Sequence, residues 1–470
     1  MLTSLSLRLR IFLLFLGLLV ASTAVVGGAL YLGYQRVPHT DSGPGFLYAA
    51  VVSGFGLLAI CAGIWLLFDE NVAKPIERIA AIMRTRAHAD VKATVDMNEA
   101  RYLGDLAPAV EAVAGQLTKV AAGTGEIVAN ETAHLAAEKA QLAALLTEIP
   151  VAIVLVSSTH NITLYDGQAA DILGQIQVPR LNASIFDYFA RADLLAAYEK
   201  LSEQRTEVLI KVHGTRGNLS FELRLKKLAQ TSGYMILIDS THARISPEAA
   251  RPLIYDFDLT KQDTEHTLEE RPIQGLNFVV FDTETTGLMP NKDEIVQIGA
   301  VRVVNGKIVP GEVVDQLVNP GRSIPPASTK VHGISDDMVA GAPDAPTAVS
   351  QFHEFAKDSV IVAHNAPFDM AFLQRHGKTS GLAWDHPIMD TVLLSAVLFG
   401  ASETHTLDAV CDRLDITIPP ELRHTALGDA QATAEALCKM LPILLSRDYS
   451  TFGDVVRETR KHGRLLQDLN

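Results

Sequence analysis

The sequence predicts a multidomain chain: two membrane-crossing helices, a helical linker, an α+β domain, and a C-terminal α/β domain with a mixed sheet. Three observations lead there. Residues 11–34 and 46–68 are long apolar runs without a charged side chain. The hydrophobic period changes from helical to strand-like near residue 150. Beyond 275, strands first meander and then alternate with helices, the pattern of a mixed sheet with helices on its faces. At 470 residues, 48% hydrophobic and 20% charged, the chain has material for several cores. Its formal net charge of −14 excludes overall Coulomb attraction as a means of recruiting a polyanion, so any such contact must be local and cation-assisted. Cys61, Cys411 and Cys438 form no closely spaced pair, which argues against a disulfide framework or structural zinc and fits a reducing compartment.

The two apolar runs form a membrane anchor over 1–68. A cleaved signal peptide is the alternative for the first, because Arg8 and Arg10 precede it and small residues occur near 21–24. The run continues well past that point and a second follows at once, which favours a helical hairpin. Arg8 and Arg10 lie before the first span, only Arg36 lies between the spans, and Lys74, Arg78, Arg84 and Arg86 follow the second. Both termini, and the C-terminal α/β domain with them, are therefore expected on the cytoplasmic side of an inner membrane. From 69 to 122, Ile76, Ile79, Ile82 and Met83, then Leu103, Leu106, Val110, Val113 and Leu117, recur at helical spacing around an irregular connector near 88–97. Such a pair directly after a membrane span resembles a HAMP linker, a parallel helical relay that works as a dimer. The run 103–106, Leu-Gly-Asp-Leu, matches that family's second-helix signature, although Arg101 and Tyr102 stand where it favours acidic residues.

A further helix is expected over 131–148. Strands follow at 151–157 and 161–165, a helix begins at 169 and ends at Gly174, and three more strands lie at 207–212, 219–228 and 234–238. This order resembles a PAS domain, over 137–242, with residues 149–153 and 169–174 the nearest matches and Asp166 where that family often has Asn. No cysteine lies in that range, which excludes a flavin–cysteine adduct. His160 and His213 are read as surface residues rather than haem ligands. The resemblance implies a dimerising or relay module. Residues 243–274 are polar and acidic and read as a linker.

Residues 278–288 read Phe-Val-Val-Phe-Asp-Thr-Glu-Thr-Thr-Gly-Leu. Side chains alternate along a strand, so Asp282 and Glu284 point the same way at its end and repel unless a cation lies between them. Hard oxygen ligands suit Mg²⁺ or Mn²⁺. Strands at 294–304 and 307–318 are joined through Asn305-Gly306, a hairpin signal. Another strand is expected at 360–363, a helix over 368–376 and a last long helix over 425–445. His-Asn-Ala-Pro-Phe-Asp at 364–369 and Arg-His-Thr-Ala-Leu-Gly-Asp-Ala at 423–430 complete a set of three motifs.

In their order these motifs resemble the DEDD family of 3′-5′ exonucleases, and the segment 275–447 resembles the epsilon-type proofreading exonucleases of bacterial replicative polymerases. Asp282 and Glu284 match the first motif, Asp369 the second, and His424 with Asp429 the third. His at that place is the DEDDh form; Thr425 stands where the sister group has Tyr. The resemblance implies a ribonuclease-H-like fold and hydrolysis of terminal phosphodiesters. Asp282, Glu284, Asp369 and Asp429 would hold two Mg²⁺ (or Mn²⁺) ions about 4 Å apart. His424 would take a proton from water, a role suited to an imidazole near neutral pH. Over 275–447 acidic residues outnumber basic ones 21 to 12, so such ions would serve substrate binding as well as chemistry.

Thr283 and Thr285 are expected to touch the terminal nucleotide. His332, in Lys-Val-His-Gly-Ile at 330–334, either does the same or starts a helix. His364 is read as structural and Asp390 as a support for the ligands. The tail 448–470, with Arg457, Arg460, Lys461 and Arg464, reads as a solvated amphipathic helix in preference to a nucleic-acid contact. The expected partners are a nucleic-acid 3′ end (single-stranded DNA favoured), the membrane, a second copy through the HAMP-like and PAS-like parts, and a replicative polymerase. Two other readings remain: a receptor with nuclease output, and a non-catalytic polymerase-docking protein.

Overall fold

In the computed structural model the described residues are 7–35, 43–89, 91, 102–104, 106, 108–113, 151–238 apart from 202–205, 218 and 229–232, then 253–256, 259 and 267–470. They fall into two compact units, 1–126 and 127–470. The helix expected over 131–148, most of the 88–97 connector and much of the linker lie outside the described residues.

In the first unit the two apolar runs fold as helices α1 (Leu7–Gln35) and α2 (Gly43–Phe68), each long and apolar enough to cross a membrane. They pack on each other where Gly33 lets the backbone of Gly45 and the side chain of Ala49 come close. A π-helical turn, Asp69–Ala73, passes into α3 (Lys74–His88), with Pro75 in its first turn where a missing N–H costs nothing. Ile79 of α3 is buried with Leu103, beside Ile82, Met83 and Val110.

The second unit holds two sheets. Strands β1 (Ala152–Val156), β2 (Ile162–Tyr165), β3 (Glu207–His213), β4 (Ser220–Lys227), β5 (Tyr234–Ile238) and β6 (Ile254–Tyr255) pair antiparallel in the order β3-β4-β5-β1-β2-β6. The period-2 burial of β4, with Phe221, Leu223 and Leu225 inward, puts one face on a core with α4 (Gly167–Gly174) and α5 (Arg191–Tyr198). Asp166 caps α4 by accepting the Ala169 N–H at 2.7 Å and also accepts the Ile153 N–H, so a carboxylate meets both demands at that position. His160 is occupied by the Tyr234 hydroxyl, 2.9 Å from its Nδ1, among Phe186 and Tyr198. The linker reading needs correction: Ile254–Tyr255 adds an edge strand to β2, and Leu259 is buried in the same core.

The second sheet runs β11-β10-β7-β8-β9, from β7 (Asn277–Thr285), β8 (Ile295–Val304), β9 (Lys307–Leu317), β10 (Val360–Ala363) and β11 (Ile388–Asp390). β7, β8 and β9 are antiparallel, whereas β10 and β11 run parallel to β7, so the sheet is mixed as expected. Asn305 and Gly306 both have positive φ (50° and 69°), the backbone a tight hairpin requires. Short helices α6 (Pro326–His332) and α7 (Asp336–Val339) follow the hairpin. Helices α8 (Ala345–Phe355) and α9 (Ala366–Ser380) bury Phe352, Met370 and Phe372 against Val279 and Phe281 of β7. After α10 (Thr391–Phe399) and α11 (Leu407–Arg413) comes the long α12 (Ala426–Leu445), which packs across β7 and β8. Gly299 makes that packing possible, since a β-carbon there would overlap the backbone of Ala426 and Leu427.

The tail is not a free solvated helix. α13 (Phe452–Thr459) starts with a capping box at Thr451 and Asp454, buries Phe452 and Val455, and the chain ends with Asn470 hydrogen-bonded to Ile388.

The two sheets are joined through charge. Arg302 of β8 and Glu312 of β9 are 1% and 4% exposed and pair at 2.6 Å (Nε to Oε2). The Tyr165 hydroxyl and the Leu181 N–H, both from the first sheet's domain, donate to Glu312 Oε1 at 2.6 Å. Val304 and Val309 join that domain's core, and Arg180 donates to the Lys357 carbonyl at 2.7 Å. A buried carboxylate that loses one such donor keeps its desolvation cost. Tyr165→Phe is therefore expected to cost about 1.5–3 kcal/mol, read as a lower thermal midpoint of the full chain.

Candidate active site

The site forms over the end of β7. Asp282 and Glu284 lie on the sheet face covered by α12, and oxygen atoms of Asp282, Glu284 and Asp429 come within 4.8 Å of one another. Asp429 is in the first turn of α12, where Thr425 caps the helix by accepting the Gly428 N–H at 3.1 Å. Asp369 arrives from the opposite face, in the first turn of α9, 2% exposed. Asp390 accepts the Ala366 N–H at 2.6 Å and the Val392 N–H at 2.7 Å, which ties the start of α9 to β11. His364 Nδ1 lies 2.9 Å from the Thr391 hydroxyl, and burial pushes its pKa down to about 4.

Four neighbouring carboxylates, Asp369 buried and the other three half-buried, cannot all ionise cheaply. Burial raises Asp282 well above the usual carboxylate range, with Asp369, Glu284 and Asp429 adding to it. Burial and then the Asp429 and Asp369 charges bring Glu284 to about 8, and burial brings Asp369 to about 7 despite its hydrogen bonds from Thr283. Burial also raises Asp429, against the lowering effect of His424. The charges that act on Asp282 and Glu284 are those of other carboxylates, and an oxygen-only set of this kind fits a hard divalent cation.

The raised values give a pH test. Between the ordinary carboxylate range and about 8, the folded metal-free protein binds more protons than the unfolded chain, so its stability falls as pH rises through that window. A divalent cation replaces those protons and removes the loss. Thermal midpoints across pH 5–9 should decline with chelator and stay level with Mg²⁺; parallel curves contradict a cation site here.

His424 is exposed, just before the Thr425 cap, with φ of 57°. The other expected contacts fall differently. Thr283 is 6% exposed, and both its hydroxyl (2.5 Å) and its N–H (3.2 Å) donate to Asp369 Oδ1. Alternation explains this: Thr283 faces α9, opposite to Asp282 and Glu284, and orients a carboxylate instead of standing open to a nucleotide. The Thr285 hydroxyl donates to the Gly287 carbonyl at 2.8 Å. His332 ends α6 rather than starting a helix; its Nδ1 accepts the Ile334 N–H at 3.0 Å, and its ring interacts with the Thr285 backbone. Leu288, in the loop after β7, and Val331, in α6, are 82% and 59% exposed.

One contributor escaped sequence reading. Arg375 of α9 donates to the Asp293 carbonyl at 2.8 Å and to Glu294 at 2.6 Å, fixing the loop after β7. Its signal, an arginine six residues after Asp369 in the same helix, is too common to read.

Residues 279–437 match the family described as Exonuclease. A DNA polymerase III subunit epsilon-like protein of Rhodobacter capsulatus is 32% identical, with all of both chains covered. A PolC-type DNA polymerase III of Caldanaerobacter subterraneus is 41% identical over 37% of this chain and 12% of its own length. Escherichia coli exonuclease I, solved in complex with a dT13 oligonucleotide, aligns over 37% of this chain and 42% of its own with 18% identity and a TM-score of 0.34.

Proposed function

Because the chain belongs to the DNA polymerase III subunit epsilon-like proteins, we propose that it is a membrane-anchored 3′-5′ exonuclease of the DEDDh type, acting on nucleic-acid ends. The observation that carries this reading is the convergence of Asp282, Glu284 and Asp429 with Asp369 behind them. Divalent ions held by these four carboxylates would neutralise phosphate charge and make water a better nucleophile. The chain's own residues do the rest. Thr283 orients Asp369, Asp390 anchors the helix that bears it, and the His424 imidazole takes the proton of the attacking water. The exposed Leu288 and Val331 offer apolar surface to a terminal base, with His332 next to Val331 at the end of α6. Single-stranded DNA is the substrate we favour, and Mg²⁺ or Mn²⁺ the ion.

Helices α1 and α2 are assigned to an inner membrane with both ends in the cytoplasm, followed by HAMP-like (69–122) and PAS-like (137–242) parts through which two copies would associate. A replicative polymerase is a candidate partner. The test is release of 5′-mononucleotides from single-stranded DNA and RNA, side by side, with Mg²⁺ and with chelator. A second reading, nuclease output governed by the PAS-like domain, is favoured by the buried Tyr165–Glu312–Arg302 cluster. It predicts that Tyr165→Phe changes kcat as well as stability; an unchanged kcat counts against it.

A further inference from the structure

Gln297 is a polar side chain, 8% exposed, in the otherwise apolar first half of β8. It stands opposite Glu284 on β7, and Gly299 stands opposite Asp282. Opposed residues of an antiparallel pair share a face, so Gln297 lies on the face that carries both carboxylates and that α12 covers. Its Oε1 accepts the Ala426 N–H at 3.1 Å, and its Nε2 donates to Asp315 Oδ1 at 2.7 Å. Ala426 is the first residue of α12, fully buried, and its N–H is among those that a helix start leaves without an intrahelical partner. It lies two residues after His424 and three before Asp429.

We propose that Gln297 is a positioning residue for the third acidic motif: its side-chain carbonyl clamps the junction between His424 and Asp429 onto the strand beside Glu284. Asp315 sets the polarity of the clamp. A carboxylate accepts only, so the Gln297 amide must turn its NH₂ toward Asp315 and its oxygen toward Ala426. A glutamate at 297 would face Asp315 acceptor to acceptor, and a leucine would leave the Ala426 N–H buried and unpaired. Either change frees the start of α12, and a misplacement of about 1 Å at a catalytic group costs about 10²-fold in rate.

The roles of His424 and Asp429 rest on the exonuclease reading, so the test has two readouts on the full chain: mononucleotide release, and Mn²⁺ affinity by electron paramagnetic resonance. Gln297→Glu is expected to lower kcat about 10- to 100-fold with KM within about threefold, and to weaken Mn²⁺ binding. The double variant Q297E/D315N is expected to restore both, because the introduced amide donates to the introduced carboxylate while the latter still accepts from Ala426. Reversal by that exchange traces the effect to the contact between positions 297 and 315. Wild-type kcat and Mn²⁺ affinity in Q297E, or a double variant no better than Q297E, overturns the proposal. If the wild-type chain released no mononucleotide, the exonuclease reading would fall, and the Mn²⁺ affinities would still decide the role of Gln297.

Discussion

Asp282→Ala lowers kcat by at least about 10³-fold, equivalent to about 4 kcal/mol of transition-state stabilisation, and no Mg²⁺ concentration restores it. Asp282 sits at the centre of the acidic group, perturbed by all three other carboxylates, so its removal opens the site where their fields overlap. Two consequences separate this from a loss of folding. The carboxylate repulsion is relieved, so the metal-free variant melts no lower than the wild type, and its melting point falls less steeply with rising pH. Mg²⁺ no longer raises the melting point. A variant that keeps normal turnover removes Asp282 from the site.

His424→Ala is expected to lower kcat about 10²- to 10⁴-fold, the range for loss of a general base, with Mn²⁺ affinity held within a few-fold of wild type. The geometry explains the split. The ring is exposed at the mouth of the site, on a residue with φ of 57°, and the α12 cap is made by Thr425 and Gly428 without it. Such a backbone costs a residue with a β-carbon about 1 kcal/mol or more, strain of the kind held at functional positions. His424→Gly therefore relieves strain while removing the base, and is expected to be as inactive as the alanine variant and no less stable. Added imidazole restores part of the rate in both. Equal loss of rate and metal binding would make His424 a ligand support instead of a base.

Much of this was readable where local chemistry decides the outcome. The apolar runs of α1 and α2, the Asn305-Gly306 turn and the alternation that aims Asp282 and Glu284 together depend on near neighbours, and among the described residues the expected helices and strands fall within a few residues of expectation. The six-stranded sheet has the strand pattern expected over 151–238, with one strand more at Ile254–Tyr255, a segment too short and too polar on either side to signal itself. β11 and α10 lay hidden in the mostly apolar stretch 388–399, where burial of nearly every residue, Asp390 and Ser395 included, erases any period. Pairings across long sequence separations left no trace. Arg302 and Glu312 look like ordinary charges of a hairpin, and only the fold brings Tyr165 and Leu181 onto them. Thr283 shows the same limit: its alternation is legible, but the carboxylate on its side of the sheet, Asp369, arrives 86 residues later.

The most direct test of the central claim, that four carboxylates and an imidazole form a metal-dependent exonuclease site, follows the fate of a single-stranded DNA labelled at either end. The account predicts stepwise release of 5′-mononucleotides from the 3′ end with Mg²⁺ or Mn²⁺, none with chelator, and none from Asp282→Ala. Cleavage that persists in chelator, starts from the 5′ end, or survives loss of Asp282 would contradict it.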